Sequence, residues 1–467
     1  MEYEAPQVVQ DSCTAMADEH RWRLGEGGAT DEVYDLGFLA ARASAPERPL
    51  AHQEVLALSR AATVFRRATH FVLATGGKAG RIGESVVQTA LITATLLALQ
   101  RTRRRRPPVT IVVDERVREL FAAEPYRQRF WREIEIVPAA GAQVDAVARD
   151  VARGGFEREA VLLDFHGAHE GDPVLRSAGH RRGVHAPWRT LHTFESLFGT
   201  AVIRFAHRGA ERRYADFVET LFSLPACAVD GYEAQPAILL SEAERAEATP
   251  MLRRLGVTPW TIPFLCFFQS VAVAKCYDSW CEVMDGVARA LARLAPERRV
   301  DFLIAYGPNE SCRTELDRAG LEAVFGDAAP GPGNARVVMC EIPSLRDLAI
   351  LATRCITLSN DTGPGHIAAA AGSPVVAPYL PGEVYPARVW AATPRHRGVT
   401  VEPSPFSSDE VRQAVLWGEN RVISAIPARA LVAQAVGAAR RGLLASPEGR
   451  WRRRVPSRWG RPQTPAG

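Results

Sequence analysis

From His70 onward the chain alternates short, nearly uninterrupted apolar runs with longer stretches of helical character. HFVLAT, starting at His70, leads through a glycine-rich turn into ESVVQTALITATLLALQ. VTIVVD, RVRELFAA, IEIVPA, QVDAVARDVA and AVLLDFHG follow in order. Short runs rich in Val, Ile and Leu predict strands buried on both faces, and the stretches between them predict helices covering a parallel sheet. A less regular stretch comes next, from HEGDPVLRSAGHRRG to about Ser241, including the helix-like ERRYADFVETLFSL. The polar, helix-prone link SEAERAEATPMLRRLG then leads to TPWTIP, where prolines punctuate the chain and a second series begins. That series reads FLCFFQ, SWCEVMDGVARALARL, VDFLIAYG, SCRTELDRAG, ARVVMCEI, SLRDLAILATRC, CITLSND, GPGHIAAAAG and PVVAPYLP.

The pattern predicts an α/β protein with two Rossmann-like doubly wound domains, at 68–240 and 258–440, and a cleft at the carboxyl ends of their strands. Residues 1–67 mix polar stretches with the helical pattern HQEVLALSRAATVFRRA and are expected to form a helical N-terminal extension. Residues 441–467, ending RWRRRVPSRWGRPQTPAG, read as a disordered basic tail.

Composition narrows the function classes. A chain of 467 residues that is 47% hydrophobic can bury a large core, and its net charge of +4 is small for that length. The main basic cluster, RTRRRRPP at 101–108, follows an apolar helix and precedes a strand, so it reads as a solvated helix end and not as a nucleic-acid footprint. The acidic start MEYEAPQVVQDS has no positive n-region or apolar core, and no apolar run has membrane-span length, so a cytoplasmic protein with no transmembrane segment is expected. Eight cysteines without a CxxC pair argue against a zinc knuckle or a disulfide framework. Lysine is the informative residue: Lys78 and Lys275 are the only two among 57 Lys and Arg. Where arginine fills the generic surface role, a retained lysine suggests a need for a compact, flexible ammonium.

The sharpest motif is CITLSNDTGPGHIAAAAGSPVVAPYLPG. A strand ends at Asn360 and Asp361, a tight turn follows, and a small-residue helix starts near His366. This arrangement directs Thr362, Gly363 and the next amides at a helix N-terminus, where an anion such as pyrophosphate is favoured, with His366 in the first turn to pair with it. Asp361 is counted with Thr362, Gly363 and His366 among the donor-binding residues; its other reading is the helix N-cap. FFQSVAVAKCYDSW repeats the arrangement at the first strand of the same domain, with Ser270 and Lys275 supplying a hydroxyl and a point charge for a sugar-nucleotide pyrophosphate. In AYGPNES, Asn309 and Glu310 lie just past a strand end, where an acid can bind ribose hydroxyls or simply favour a helix start.

DTGPGHIAAAAGSPVVAPYLPG resembles the DxGPxHLAAAxGxP signature of glycosyltransferase family nine, which includes the ADP-heptose lipopolysaccharide heptosyltransferases. FFQSVAVAKCYDSW and RIGESVVQTALITATLLAL are similar to that family's lysine loop and first helix, while LLDFHG and RSAGHRRGV resemble its middle part. The resemblance covers roughly 68–400 and implies a GT-B fold, with an acceptor-side first domain and a nucleotide-sugar-binding second domain. It further implies an inverting, metal-independent transfer needing no cofactor, from a nucleotide-diphosphate sugar, ADP-heptose by analogy, to a glycan or small-molecule acceptor. Glu84 stands where that family has its presumed general base, an aspartate; its other reading is an acid favouring the helix macrodipole. Gly77, Lys78 and Arg81 lie on the acceptor-side loop, where Lys78 and Arg81 can grip an anionic group of the acceptor or reach the donor phosphates. Two alternatives remain: a nucleotide-sugar epimerase of the same architecture, and a non-catalytic sugar-nucleotide-binding protein.

Overall fold

The computed structural model describes residues 33–35, 68–75, 82–102, 105–144, 147–148, 151, 160–164, 183–185, 236–270, 272–306, 335–380, 396–399 and 405–445, and these form two six-stranded sheets. The first contains β1 (Val33–Asp35), β2 (His70–Thr75), β3 (Val109–Asp114), β4 (Ile134–Ala139), β5 (Ala160–Asp164) and β6 (Gly183–His185), in the order β1-β6-β5-β2-β3-β4. The second contains β7 (Thr261–Phe267), β8 (Arg299–Tyr306), β9 (Ala335–Glu341), β10 (Ile356–Ser359), β11 (Val375–Pro378) and β12 (His396–Val399), in the order β12-β11-β10-β7-β8-β9. Every pairing is parallel. Strand order reverses at β2, between β5 and β3, and at β7, between β10 and β8; such switch points open a crevice at the strands' carboxyl ends.

The helices are α1 (Ile82–Thr102), α2 (Ala123–Arg129), α3 (Glu242–Arg254), α4 (Trp280–Leu294), α5 (Leu345–Ala352), α6 (Gly363–Ala371), α7 (Ser408–Trp417), α8 (Arg421–Ser424) and α9 (Ala428–Ala445). No described helix is long and apolar enough to cross a membrane. The start of α3 is set by a capping box, in which Ser241 accepts from the Glu244 amide and the Glu244 carboxylate accepts from the Ser241 amide.

Three expectations change. The described part of the N-terminal extension, 33–35, is a strand and not a helix, paired with 183–185 at the edge of the first sheet; the helix expected in HQEVLALSRAATVFRRA lies outside the described residues. RVRELFAA is not one helix, because Asp114 caps the chain at Arg116 and grips its guanidinium, tightening Glu115–Leu120 into a 3-10 turn before α2 begins. Helix α9 runs to Ala445, five residues into the stretch expected to be a disordered tail. Pro263 sits within β7, a central strand, yet costs no ladder bond towards β10: that pairing begins one residue later, at Phe264 opposite Ile356.

One apolar core joins the two sheets. It runs from Phe71, Leu73 and Ile111 of the first sheet through Leu96 of α1, Leu351 of α5 and Ile367 of α6 to Leu265 and Phe267 of β7. A second core, with Phe264 and Phe302 stacked, fills the opposite face of the second sheet beneath α4 and α9. Polar ties reinforce the junction. The Arg346 guanidinium pairs with both Glu244 oxygens, at 2.9 and 3.0 Å, and donates to the carbonyls of Leu120 at 3.0 Å and Leu239 at 2.8 Å. The Leu345 amide donates to Glu119, the Ala237 amide to Thr89 of α1, and the Ile238 amide to the Ala370 carbonyl of α6.

Candidate active site

At the carboxyl end of β10 the chain passes through Asn360, Asp361 and Thr362 and enters α6 at Gly363. Thr362 holds the N-cap position, but its hydroxyl makes no capping bond and lies 3.2 Å from the Ser359 hydroxyl. Asp361 is therefore not the helix cap. Close seating of α6 on the sheet depends on Gly365, because a Cβ there would fall 2.6 Å from the Ser359 oxygen.

Asn360 organises the loop from the neighbouring strand. Its amide nitrogen donates to the Phe268 carbonyl, while its oxygen accepts from the Tyr277 amide at 3.2 Å and the Trp280 indole at 3.0 Å. Trp280 in turn stacks on Phe268. The segment from β7 to α4 is thereby fixed against β10, and this segment carries Ser270 and Lys275. The half-buried Ser270 hydroxyl accepts from the Ala272 amide at 3.3 Å, which leaves its own proton to donate.

Lys275 and His366 converge on Asp361. The Lys275 ammonium lies 2.7 Å from one carboxylate oxygen and His366 Nε2 lies 3.2 Å from the other. The Asp361 side chain is only 5% exposed, against 18% for Lys275 and 13% for His366. Burial by itself raises the Asp361 pKa, but the hydrogen bond from His366 and the charge of Lys275 outweigh it and hold the group well below the usual carboxylate range. Behind the group, burial first and the Asp361 charge second push the Tyr379 phenol well above its ordinary value.

The N-terminus of α1 meets that of α6 in direct contact. A Cβ on Gly83 would come 3.0 Å from Cδ2 of His366, and one on Gly363 would come 3.2 Å from Cβ of Ile82. Two glycines thus permit helices from different sheets to touch at their first turns. Glu84, the next residue along α1, occupies this junction by its position in the helix.

Ser270, Lys275, Asp361, Thr362, Gly363 and His366 are accordingly gathered at the carboxyl ends of β7 and β10, with the backbone of Glu84 alongside. Gly77, Lys78, Arg81 and Glu310 lie outside the described residues. Sequence reasoning had not given Asn360 its bridging bonds, nor included Tyr379. The available signal for Tyr379 was its place just past the end of β11, beside β10.

No family model matches the chain, and no curated protein does either. Among solved structures, the glycosyl transferase family 9 protein from Veillonella parvula DSM 2008 superposes with a TM-score of 0.52 at 18% identity, over 81% of this chain and 98% of that one. The chain has the GT-B fold. The E. coli ADP-heptose lps heptosyltransferase II aligns over 80% of this chain and 99% of its own, at 14% identity and a TM-score of 0.47.

Proposed function

We propose that the protein is an inverting, metal-independent glycosyltransferase. It moves a sugar, heptose by resemblance, from a nucleotide-diphosphate donor, ADP-linked by the same resemblance, to a hydroxyl of a glycan or small metabolite. The second sheet and its helices, 258–440, form the donor domain and 68–240 the acceptor domain. The observation that carries this reading is the placement of Lys275 and His366 at the N-terminus of α6, where the first turn of α1 abuts Gly363 and His366.

The chemistry follows from that placement. Glu84 accepts the proton of the acceptor hydroxyl as its oxygen attacks the anomeric carbon from the face opposite the diphosphate. The bond from that carbon to the diphosphate oxygen breaks, its electron pair leaves with the nucleoside diphosphate, and configuration inverts. The growing negative charge meets the Lys275 ammonium, the His366 imidazole, the Ser270 and Thr362 hydroxyls and the amide of Gly363, all fixed before reaction. By sequence position and the same resemblance Glu310 is assigned to the ribose, and Gly77, Lys78 and Arg81 to the acceptor.

The test is calorimetric titration of ADP, UDP and GDP into the wild type and Lys275→Ala. Tighter binding of ADP, weakened at least about tenfold in the variant as loss of a charge-assisted bond predicts, supports the donor site. Preference for UDP or GDP removes the ADP assignment, and failure of all three to bind removes the diphosphate reading. Incubation with donor alone separates an epimerase, which converts the donor without an acceptor, from a transferase.

A further inference from the structure

Asp361 differs from its neighbours at the site. Each of its oxygens is engaged by a nitrogen from a different segment of chain: Lys275 Nζ from the loop after β7 and His366 Nε2 from the first turn of α6. The carboxylate has lone pairs to spare, yet it is the most buried of the three side chains, leaving little surface to receive a ligand. Lys275 reaches it across a loop otherwise held by Asn360, so the carboxylate is the charged end of the clamp that fastens this loop to β10.

We propose, resting on the donor-site reading above, that Asp361 is a positioning residue that does not touch the donor: it holds the Lys275 ammonium and the His366 imidazole in place together, so that both meet the diphosphate as one preset unit. Its contact with Nε2 also fixes which ring nitrogen carries a proton, because a carboxylate accepts only from a protonated nitrogen. The arrangement further sets the site's charge. One fixed negative group stands against the Lys275 ammonium, which keeps it partly neutralised until a polyanion arrives.

Two experiments test this. ADP and inorganic pyrophosphate are titrated into Asp361→Asn in three backgrounds: otherwise wild type, Lys275→Met and His366→Gln. The asparagine is isosteric but offers one acceptor to two donors. A residue acting through Lys275 and His366 weakens binding on the order of tenfold in the first background, and the loss shrinks clearly in each of the others. An equal loss in all three means that Asp361 contacts the ligand itself, and overturns the proposal. The second experiment needs no ligand: long-range proton–nitrogen spectra of protein labelled at histidine, with the His366 signals assigned by their absence in His366→Gln. The proposal expects an Nε2-protonated ring in the wild type and a changed ring state in Asp361→Ala and Asp361→Asn. An unchanged ring overturns it. If no diphosphate binds the wild type, the donor reading fails, while the spectra still decide the role of Asp361.

Discussion

At the scale of single residues, the site is a problem of charge burial. Asp361 is held ionised in a place that by itself disfavours ionisation, and the balance is tipped by His366 from the next turn of chain and by Lys275 from the loop after a different strand. The pH dependence follows. A carboxyl whose folded pKa is depressed below its unfolded value contributes stability that is complete above the unfolded value, about 4, and fades as pH falls towards the folded value. Asp361→Asn is therefore expected to lower the free energy of unfolding by roughly 3 kcal/mol at pH 7, as for a broken buried ion pair. The difference from wild type narrows steadily below about pH 4. Urea unfolding of both proteins from pH 7 down to pH 3 measures this. A difference that stays constant with pH would mean that the carboxylate's charge contributes nothing to the fold.

At the scale of elements, α5 is the joint between the two halves. It begins at a side-chain cap, where Ser344 accepts from the Asp347 amide, and its Arg346 ties three other segments together: α3 through Glu244, the 3-10 turn through Leu120, and the chain entering α3 through Leu239. Burial raises the Glu244 pKa, but the bonds from Arg346 and Ser241 bring it below the usual value, so the carboxylate depends on the guanidinium. Arg346→Met is expected to cost about 3 kcal/mol by leaving Glu244 and two carbonyls without their partner. Hydrogen exchange should rise first in residues 236–241 and 115–120. A loss under about 0.5 kcal/mol, the range of an ordinary surface change, would rule out the joint. The same element shows why the sequence was legible in parts. Strands such as VTIVVD announce themselves by local composition, and the DTGPGH turn by its local spacing, because both depend on neighbours in the chain. The strand Val33–Asp35 exists only through its pairing with Gly183–His185, and Arg346 has its role only because Leu120, Leu239 and Glu244 come to it across the fold. The pairing of Lys275 with Asp361 was hidden for the same reason, although each residue stood out by itself.

At the scale of the whole molecule, the pattern of two αβ series predicts two domains with a cleft, and the described packing adds a constraint that the pattern does not contain. The apolar core is continuous across the junction, from Leu96 of α1 through Leu351 of α5 to Leu265 of β7. Separating the two sheets exposes that surface to water, so neither half is expected to unfold while the other stays intact. Large chains commonly unfold in steps, which makes a single calorimetric transition an informative outcome here. Leu96→Ala and Leu351→Ala, one in each half, both remove a buried side chain at a cost of about 2–5 kcal/mol. Each is expected to lower the same single transition as a unit. If Leu351→Ala instead splits off an early transition and leaves a later one where it was, the halves are independent and the core is divided at α5. A shared transition ties stability to the candidate site: the contact of Gly83 with His366 is then held in register by the same core that holds the fold, so substitutions deep in the junction reach the cluster of Lys275, Asp361 and His366 without touching it.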